Sequence, residues 1–209
     1  SDAVGITLDF EHRYDWIAFC PRHNSDAGAL TRYFGKVADS DEFKVRGIEQ
    51  RQRSTPPFIE DCQQALMEAV DQYRGPETVC DVLQRQIQAL RDGDVAPNQL
   101  VIRNRVSKHP EEYVHRSRNA AAMERSQNHG VDVAPGQDVE YVVVDDDKDG
   151  IGRVALAYED PDRYDTEFYT DILIRAAESI VAPFGWDRDD IRRHLSGTFE
   201  PRLTAYAGR

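Results

Sequence analysis

Residues 54–94 read STPPFIEDCQQALMEAVDQYRGPETVCDVLQRQIQALRDGD, and their periodicity predicts two consecutive helices. Ser54 or Thr55 can cap the first. Pro56 and Pro57 sit in its opening turn, where a missing N–H costs nothing, and Glu60 and Asp61 suit the positive end of the helix dipole. Phe58, Cys62, Leu66, Ala69 and Val70 then recur at helical spacing. Gly75-Pro76 closes this helix. A second one, over 77–90, lines up Val79, Leu83, Ile87 and Leu90 until Asp92-Gly93-Asp94 breaks it.

On the N-terminal side, residues 6–20 (ITLDFEHRYDWIAFC) alternate in part between apolar and polar and predict one or two strands, followed by a polar turn over 21–29. Residues 30–37 and 43–50 flank Ala38-Asp39-Ser40-Asp41 and predict a hairpin. On the C-terminal side, a strand is expected over 99–106 and a helix over 110–127, with Gly130 placed for a C-cap. Strands over 139–144 and 153–158 enclose an acidic turn. Helices over 166–182 and 187–194 follow, then a weakly patterned tail. Neither repeats nor low-complexity tracts appear. The fold class is α+β: short antiparallel strands first, then a largely helical region with small β-hairpins.

The chain has 209 residues, 40% of them hydrophobic, which is enough for a real core and excludes wholesale disorder. No apolar run approaches the roughly 20 residues a bilayer span requires, so no membrane partner is expected. Cys20, Cys62 and Cys80 are odd in number and far apart, and form neither a disulfide framework nor a zinc site. With no basic-then-apolar leader at the N-terminus, a reduced, cytoplasmic protein is expected. The net charge is −12, with 4 lysines against 22 arginines and 24 aspartates against 14 glutamates. Such an Asp-rich, Lys-poor surface stays hydrated when salt shortens the Debye length to a few ångströms, and reads as adaptation to a saline cytoplasm.

Asp145, Asp147, Asp149 and Gly150 match the opening of a calcium loop, but the twelfth position is Leu156 where a bidentate Glu belongs, and strands flank the run. A solvated acidic turn is the expectation. The six histidines lack zinc-site spacing, and no nucleophile elbow or glycine-rich phosphate loop is present. From the residues alone, no complete active site emerges. Two basic patches stand out instead. Residues 43–53 carry Lys44, Arg46, Arg51 and Arg53 against Glu49. Residues 100–128 carry Arg103, Arg105, Lys108, Arg116, Arg118 and Arg125 against Glu111, Glu112 and Glu124. Each sums to +3, leaving −18 on the rest of the chain. Arginine forks suit phosphates, and they equally suit surface ion pairs. Composition leaves both open.

The order of motifs resembles the C-terminal part of the family B DNA polymerases of the archaeal replicative type. Leu8-Asp9-Phe10-Glu11-His12-Arg13-Tyr14 stands where that family has L-E-x-E-x-x-x-Y, and Leu30-Thr31-Arg32-Tyr33-Phe34-Gly35 where it has KKRYxG. Arg46-Gly47-Ile48-Glu49-Gln50-Arg51-Gln52-Arg53 is similar to K-G-[LI]-E-x-x-R-R. Leu100-Val101-Ile102 resembles a thumb strand and residues 113–127 a thumb helix; the stretch 129–136 resembles the exit from that helix. Further on come Tyr141-Val142-Val143, Ile151-Gly152, the run from Asp160 to Tyr169 (DPDRYDTEFY) and Phe184-Gly185-Trp186. The order holds over nearly all of residues 6–195.

This resemblance implies the end of the palm over residues 1–29 and the thumb over 30–209, from a haloarchaeal enzyme. It implies gripping of primer–template duplex DNA, with the remainder of the polymerase chain and a sliding clamp as further partners. Arg32 and Tyr33 would reach the primer strand; Arg46, Gly47, Arg51 and Arg53 would line the palm–thumb junction; Lys108, Arg116, Arg118 and Asn119 would present from a thumb helix. Asp9 and Glu11 match carboxylates peripheral to the catalytic metals. The whole enzyme would use Mg2+, whereas this portion requires no cofactor and is expected to be inactive alone, lacking the family's catalytic aspartates. Leu30 and Thr31 replace two lysines of the family and Gln52 an arginine, a loss of charge in keeping with high salt, which weakens every phosphate contact. Two other readings stay open: a stand-alone, non-catalytic DNA-binding protein derived from a polymerase, and an acidic protein-interaction domain.

Overall fold

A computed structural model describes residues 11–22, 25–113 and 117–197 of the chain. The first sheet is an antiparallel meander of β1 (Tyr14–Arg22), β2 (Ser25–Val37) and β3 (Phe43–Arg46), in that spatial order. Alternation decides its faces. Ala18 pairs with Phe34 and Phe34 with Val45 on the inner face, while Phe19 pairs with Tyr33 and Tyr33 with Arg46 on the outer one. The ladder continues through the segment expected to be a polar turn, with Pro21 opposite Gly28 and Arg22 opposite Ser25. Pro21 is tolerated because β1 is an edge strand and the register slips on either side of it. Residues 29 and 30, the expected palm–thumb boundary, are consecutive within β2.

Two helices follow as expected, α1 (Pro57–Tyr73) and α2 (Pro76–Asp92). The cap of α1 differs. Pro56 holds the N-cap position with no side-chain bond, because the Thr55 hydroxyl donates instead to the Glu49 carbonyl at 2.6 Å. Arg74 ends α1 in the left-handed region and Gly93 ends α2 the same way. Trp16 and Lys36 of the first sheet both donate to Asp71 on α1, at 2.7 and 2.6 Å, and Trp16 meets Phe34 edge-on. The sheet's inner face is thereby fixed to α1.

The second sheet runs β4 (Ile102–Arg105), β5 (Asp138–Val143), β6 (Val154–Leu156), again antiparallel. Single-turn 3-10 segments replace the ends of the longer strands expected here, Pro97–Leu100 before β4 and Ala157–Glu159 after β6. The helix expected from Pro110 begins later. Pro110–Glu112 is a 3-10 turn, and α3 spans Arg118–Asn128 with the Ser117 hydroxyl accepting from the Ala120 N–H at 3.2 Å. The polypeptide closes with α4 (Thr166–Val181) and α5 (Arg188–Leu195), both capped by aspartates. The core is continuous from Phe34 and Ile48 through Leu66, Leu83 and Leu173 to Val142 and Leu156. Fully buried Tyr169 ties α4 to the second sheet: its hydroxyl accepts from the Val143 N–H and donates to the Leu100 carbonyl. Among the described residues no helix is long and apolar enough to cross a membrane.

Candidate nucleic-acid interface

Strand β3 stops at Arg46 because the next residue is glycine in the left-handed region (φ 69°). A Cβ there would stand 2.2 Å from the Thr31 carbonyl oxygen, so only glycine brings this segment against β2. Ile48 is buried, and the Glu49–Arg51 3-10 turn is clamped from below. Gln63 on α1 donates to the Glu49 carboxylate at 3.1 Å and to the Ala176 carbonyl at 2.8 Å, and accepts from the Gln50 N–H at 2.7 Å. The buried half of the segment is thus immobilised, and Arg46, Arg51, Gln52 and Arg53 are left exposed.

Arg53 then meets the second sheet. Its guanidinium is 3.6 Å from the Asp138 carboxylate, which Arg103 also holds at 2.7 Å while lying 3.5 Å from Glu140. Cross-strand register explains the cluster: Arg103 sits opposite Glu140 and Arg105 opposite Asp138, on the exposed face of β4 and β5. The hydrogen bond from Arg103, with the fields of Arg53, Arg103 and Arg105, holds the Asp138 carboxyl below its usual range. The structure therefore joins the two basic patches at one carboxylate. Arg103 and Arg105 were named in the second basic patch but not among the candidate site residues. Their signal was available: an i, i+2 arginine pair after an apolar strand start falls on one face.

The remaining candidates are distributed differently. By alternation Arg32 and Tyr33 face opposite sides of β2. Tyr33 lies on the outer face against Phe19, ring centroids 5.7 Å apart, and Arg32 turns inward to donate to Ser179 on α4 at 3.1 Å and to the Gly47 carbonyl at 3.3 Å. Lys108 is exposed beyond β4. Arg118 lies over the Phe168 ring at 4.4 Å and grips Asp146 through two bonds of 2.8 and 2.6 Å, a carboxylate that Arg153 also holds. The acidic turn is consequently more than a solvated loop. Asn119 accepts from Tyr141 and Asn104 at 2.8 and 3.0 Å, on the face of β4 away from Arg103. Arg116 and Asp9 lie outside the described residues.

Glu11, the other carboxylate expected near metal, receives a bond from the Lys44 ammonium at 3.0 Å, and this cation is the main reason its pKa is lowered. A lone carboxylate already paired with an ammonium does not make a metal site, and no group of three or more metal-ligating side chains occurs among the described residues.

Residues 30–184 match the sequence model of DNA polymerase family B. A DNA polymerase from Thermococcus gorgonarius is 23% identical over 167 residues, covering 76% of this chain and 21% of that protein. One from Pyrococcus horikoshii is 25% identical over 164 residues, covering 76% of this chain and 13% of that protein. The solved structure of the family B DNA polymerase from Pyrobaculum calidifontis shares the fold, with a TM-score of 0.65 at 19% identity over 86% of this chain and 23% of that one. The chain spans less than a quarter of the length of each.

Proposed function

The chain belongs to DNA polymerase family B, and on that premise we propose that it is the portion of such an enzyme that grips duplex primer–template DNA. Residues 1–29 complete the palm and 30–209 form the thumb. The enzyme is that of a salt-adapted archaeon and works in the cytoplasm. The observation that carries this reading is the meeting of Arg53 and Arg103 at Asp138, because it gathers cations from two distant basic segments of an otherwise acidic protein onto one exposed face. A cationic wall of this kind positions a duplex through its phosphates and reads no bases.

Arg46, Arg51, Arg53 and Lys108 supply exposed positive charge, and Tyr33 flanks them beside Arg46 on the outer face of the first sheet. Arg32 ties the turn at Gly47 to Ser179 on α4, while Arg118 and Asn119 brace the second sheet through Asp146 and Tyr141. The whole enzyme adds a deoxynucleotide to the primer 3′-OH with Mg2+ held elsewhere in its chain, and this portion alone does not polymerise. Its partners are the duplex, the rest of the polymerase chain and a sliding clamp. A filter-binding titration with duplex DNA at rising salt tests the reading. Affinity should fall with salt and be weakened by Arg46→Glu and Arg53→Glu; no binding at about 50 mM salt by the folded chain would overturn it in favour of an acidic interaction domain.

A further inference from the structure

Two clefts adjoin beside the first sheet, one against α4 and the other against the segment that joins α4 to α5. One, of about 710 Å3, is walled by Arg32, Arg175 and Arg188 with Gln52, and by the carboxylates of Glu49 and Glu178. The other, of about 720 Å3, is walled largely by Phe19, Leu30, Pro183 and Trp186, together with the Asp187 carboxylate that caps α5. Pro21, Glu178 and Ala182 belong to both, so a cationic space and an apolar one share a partition.

In the cationic cleft three guanidiniums face two carboxylates. Glu178 is engaged by Arg188 at 3.1 Å, and Glu49 is buried beneath Gln63 with Arg175 3.9 Å away. Among the described residues Arg32 bonds to neutral acceptors, the Ser179 hydroxyl and the Gly47 carbonyl. The Arg188 Nε is buried with no acceptor among the described residues. Cys20, on the same wall, is a neutral thiol, since burial raises its pKa. The cleft thus keeps one unbalanced positive charge and unfilled N–H donors, which suit a phosphate. Next door, Leu30 is 72% exposed and Phe19 39%, although both are large apolar side chains. A planar base laid against Phe19 and Trp186 would cover them.

We propose that these adjoining clefts bind an unpaired nucleotide, its phosphate at Arg32 and its base against Phe19 and Trp186. The inference goes beyond duplex gripping: the segment 46–53 contributes Gly47, Glu49 and Gln52 to the cationic cleft, but none of Arg53, Arg103 and Asp138 lines either cleft.

The probes are an oligothymidylate of roughly twelve nucleotides, thymidine monophosphate and inorganic phosphate. Each is titrated into the 209-residue chain while the fluorescence of its two tryptophans is followed. The oligothymidylate should quench to saturation. Arg175→Gln and Phe19→Ala should each weaken binding by roughly tenfold, and Arg91→Gln, at an exposed position of α2 that lines neither cleft, should leave it unchanged. The Arg175 side chain is 65% exposed, so its replacement does not disturb folding. Monophosphate binding as tight as that of the oligomer assigns the clefts to a free nucleotide; binding by the oligomer alone assigns them to single-stranded DNA. Inorganic phosphate should compete without quenching. Absence of quenching by both nucleotide probes at about 1 mM, with the chain folded by circular dichroism, overturns the proposal. So does quenching that neither substitution alters.

Discussion

Gln63, fully buried on α1, donates its side-chain amide to the buried carboxylate of Glu49 at 3.1 Å. The same amide group also holds Gln50 and Ala176, so one residue joins α1 and α4 to the segment that carries Arg51 and Arg53. Gln63→Leu conserves most of the volume but leaves the Gln50 N–H unpaired and the buried Glu49 carboxylate with only Arg175, 3.9 Å away. We expect it to cost about 3 kcal/mol of stability, read as a lower urea midpoint with an unchanged slope. A cost under ~0.5 kcal/mol would mean that the segment does not depend on this clamp.

Gly47→Ala tests the turn itself. The added methyl would meet the Thr31 carbonyl oxygen at 2.2 Å in a backbone region that alanine disfavours. The expected loss is at least ~2 kcal/mol, seen as a drop in thermal midpoint. Gly93→Ala is the control: its φ is equally positive but nothing lies within 4 Å, so it should lose only the backbone part, about 1 kcal/mol.

Acid should weaken the ion pairs around the second sheet. The Asp146 carboxyl is lowered from its ordinary 3.8 chiefly by the Arg118 bond, and Glu159 from 4.5 chiefly by the Arg125 bond. Each group titrates lower in the folded chain than in the unfolded one. Its stabilisation is therefore complete above the ordinary value and is lost as pH falls through the depressed one. Stability should stay level above about pH 5 and decline below about pH 4. Asp146→Asn should be weaker by about 1–3 kcal/mol at pH 7, and its deficit should shrink as denaturation is repeated at decreasing pH. A deficit that is the same at every pH would contradict the assignment.

These ion pairs mark the limit of what the sequence discloses. Helices α1, α2, α4 and α5 were legible because apolar spacing and the Pro and Gly stops are local signals. The start of α3 was not: Pro110 with Glu111 and Glu112 imitates an N-terminus, and only the hydroxyl geometry at Ser117 identifies the real one. Strand β3 was read too long because Gly47 resembles any strand glycine until the Thr31 carbonyl is seen beside it. Asp146 was read as solvated since nothing in its neighbourhood announces Arg118, which arrives from α3. The same holds for the interface. The segment 46–53 was singled out as a candidate by its pattern, whereas its junction with Arg103 depends on sheet register.

The three cysteines give a chemical check on the core. All are buried, and burial pushes the Cys62 and Cys80 thiols up to about 12. At neutral pH neither is a thiolate, so alkylation by iodoacetamide should require unfolding. Labelling followed by mass spectrometry across a urea gradient should track the loss of ellipticity for both residues. Rapid modification of either in native buffer would place α1 or α2 outside the core.

Asp138 occupies the place where a phosphate would be most attractive, between Arg53 and Arg103 with Arg105 opposite it across the strands. On the proposed duplex-gripping reading, a carboxylate there neutralises the cluster in the free protein and competes with DNA for the same donors. Asp138→Asn removes the competitor while conserving shape, so duplex affinity should rise several-fold at low salt. Arg103→Gln should lower it and reduce the slope of log K against log salt by about one. The two effects are coupled. With Arg103 replaced, Asp138 has less to compete for, and the gain from Asp138→Asn should fall to less than half on the logarithmic scale. Filter binding of the four chains over a salt series measures this directly. Additive effects would show that Asp138 acts only through net charge, and that Arg103 does not reach a phosphate in the place of the Asp138 carboxylate.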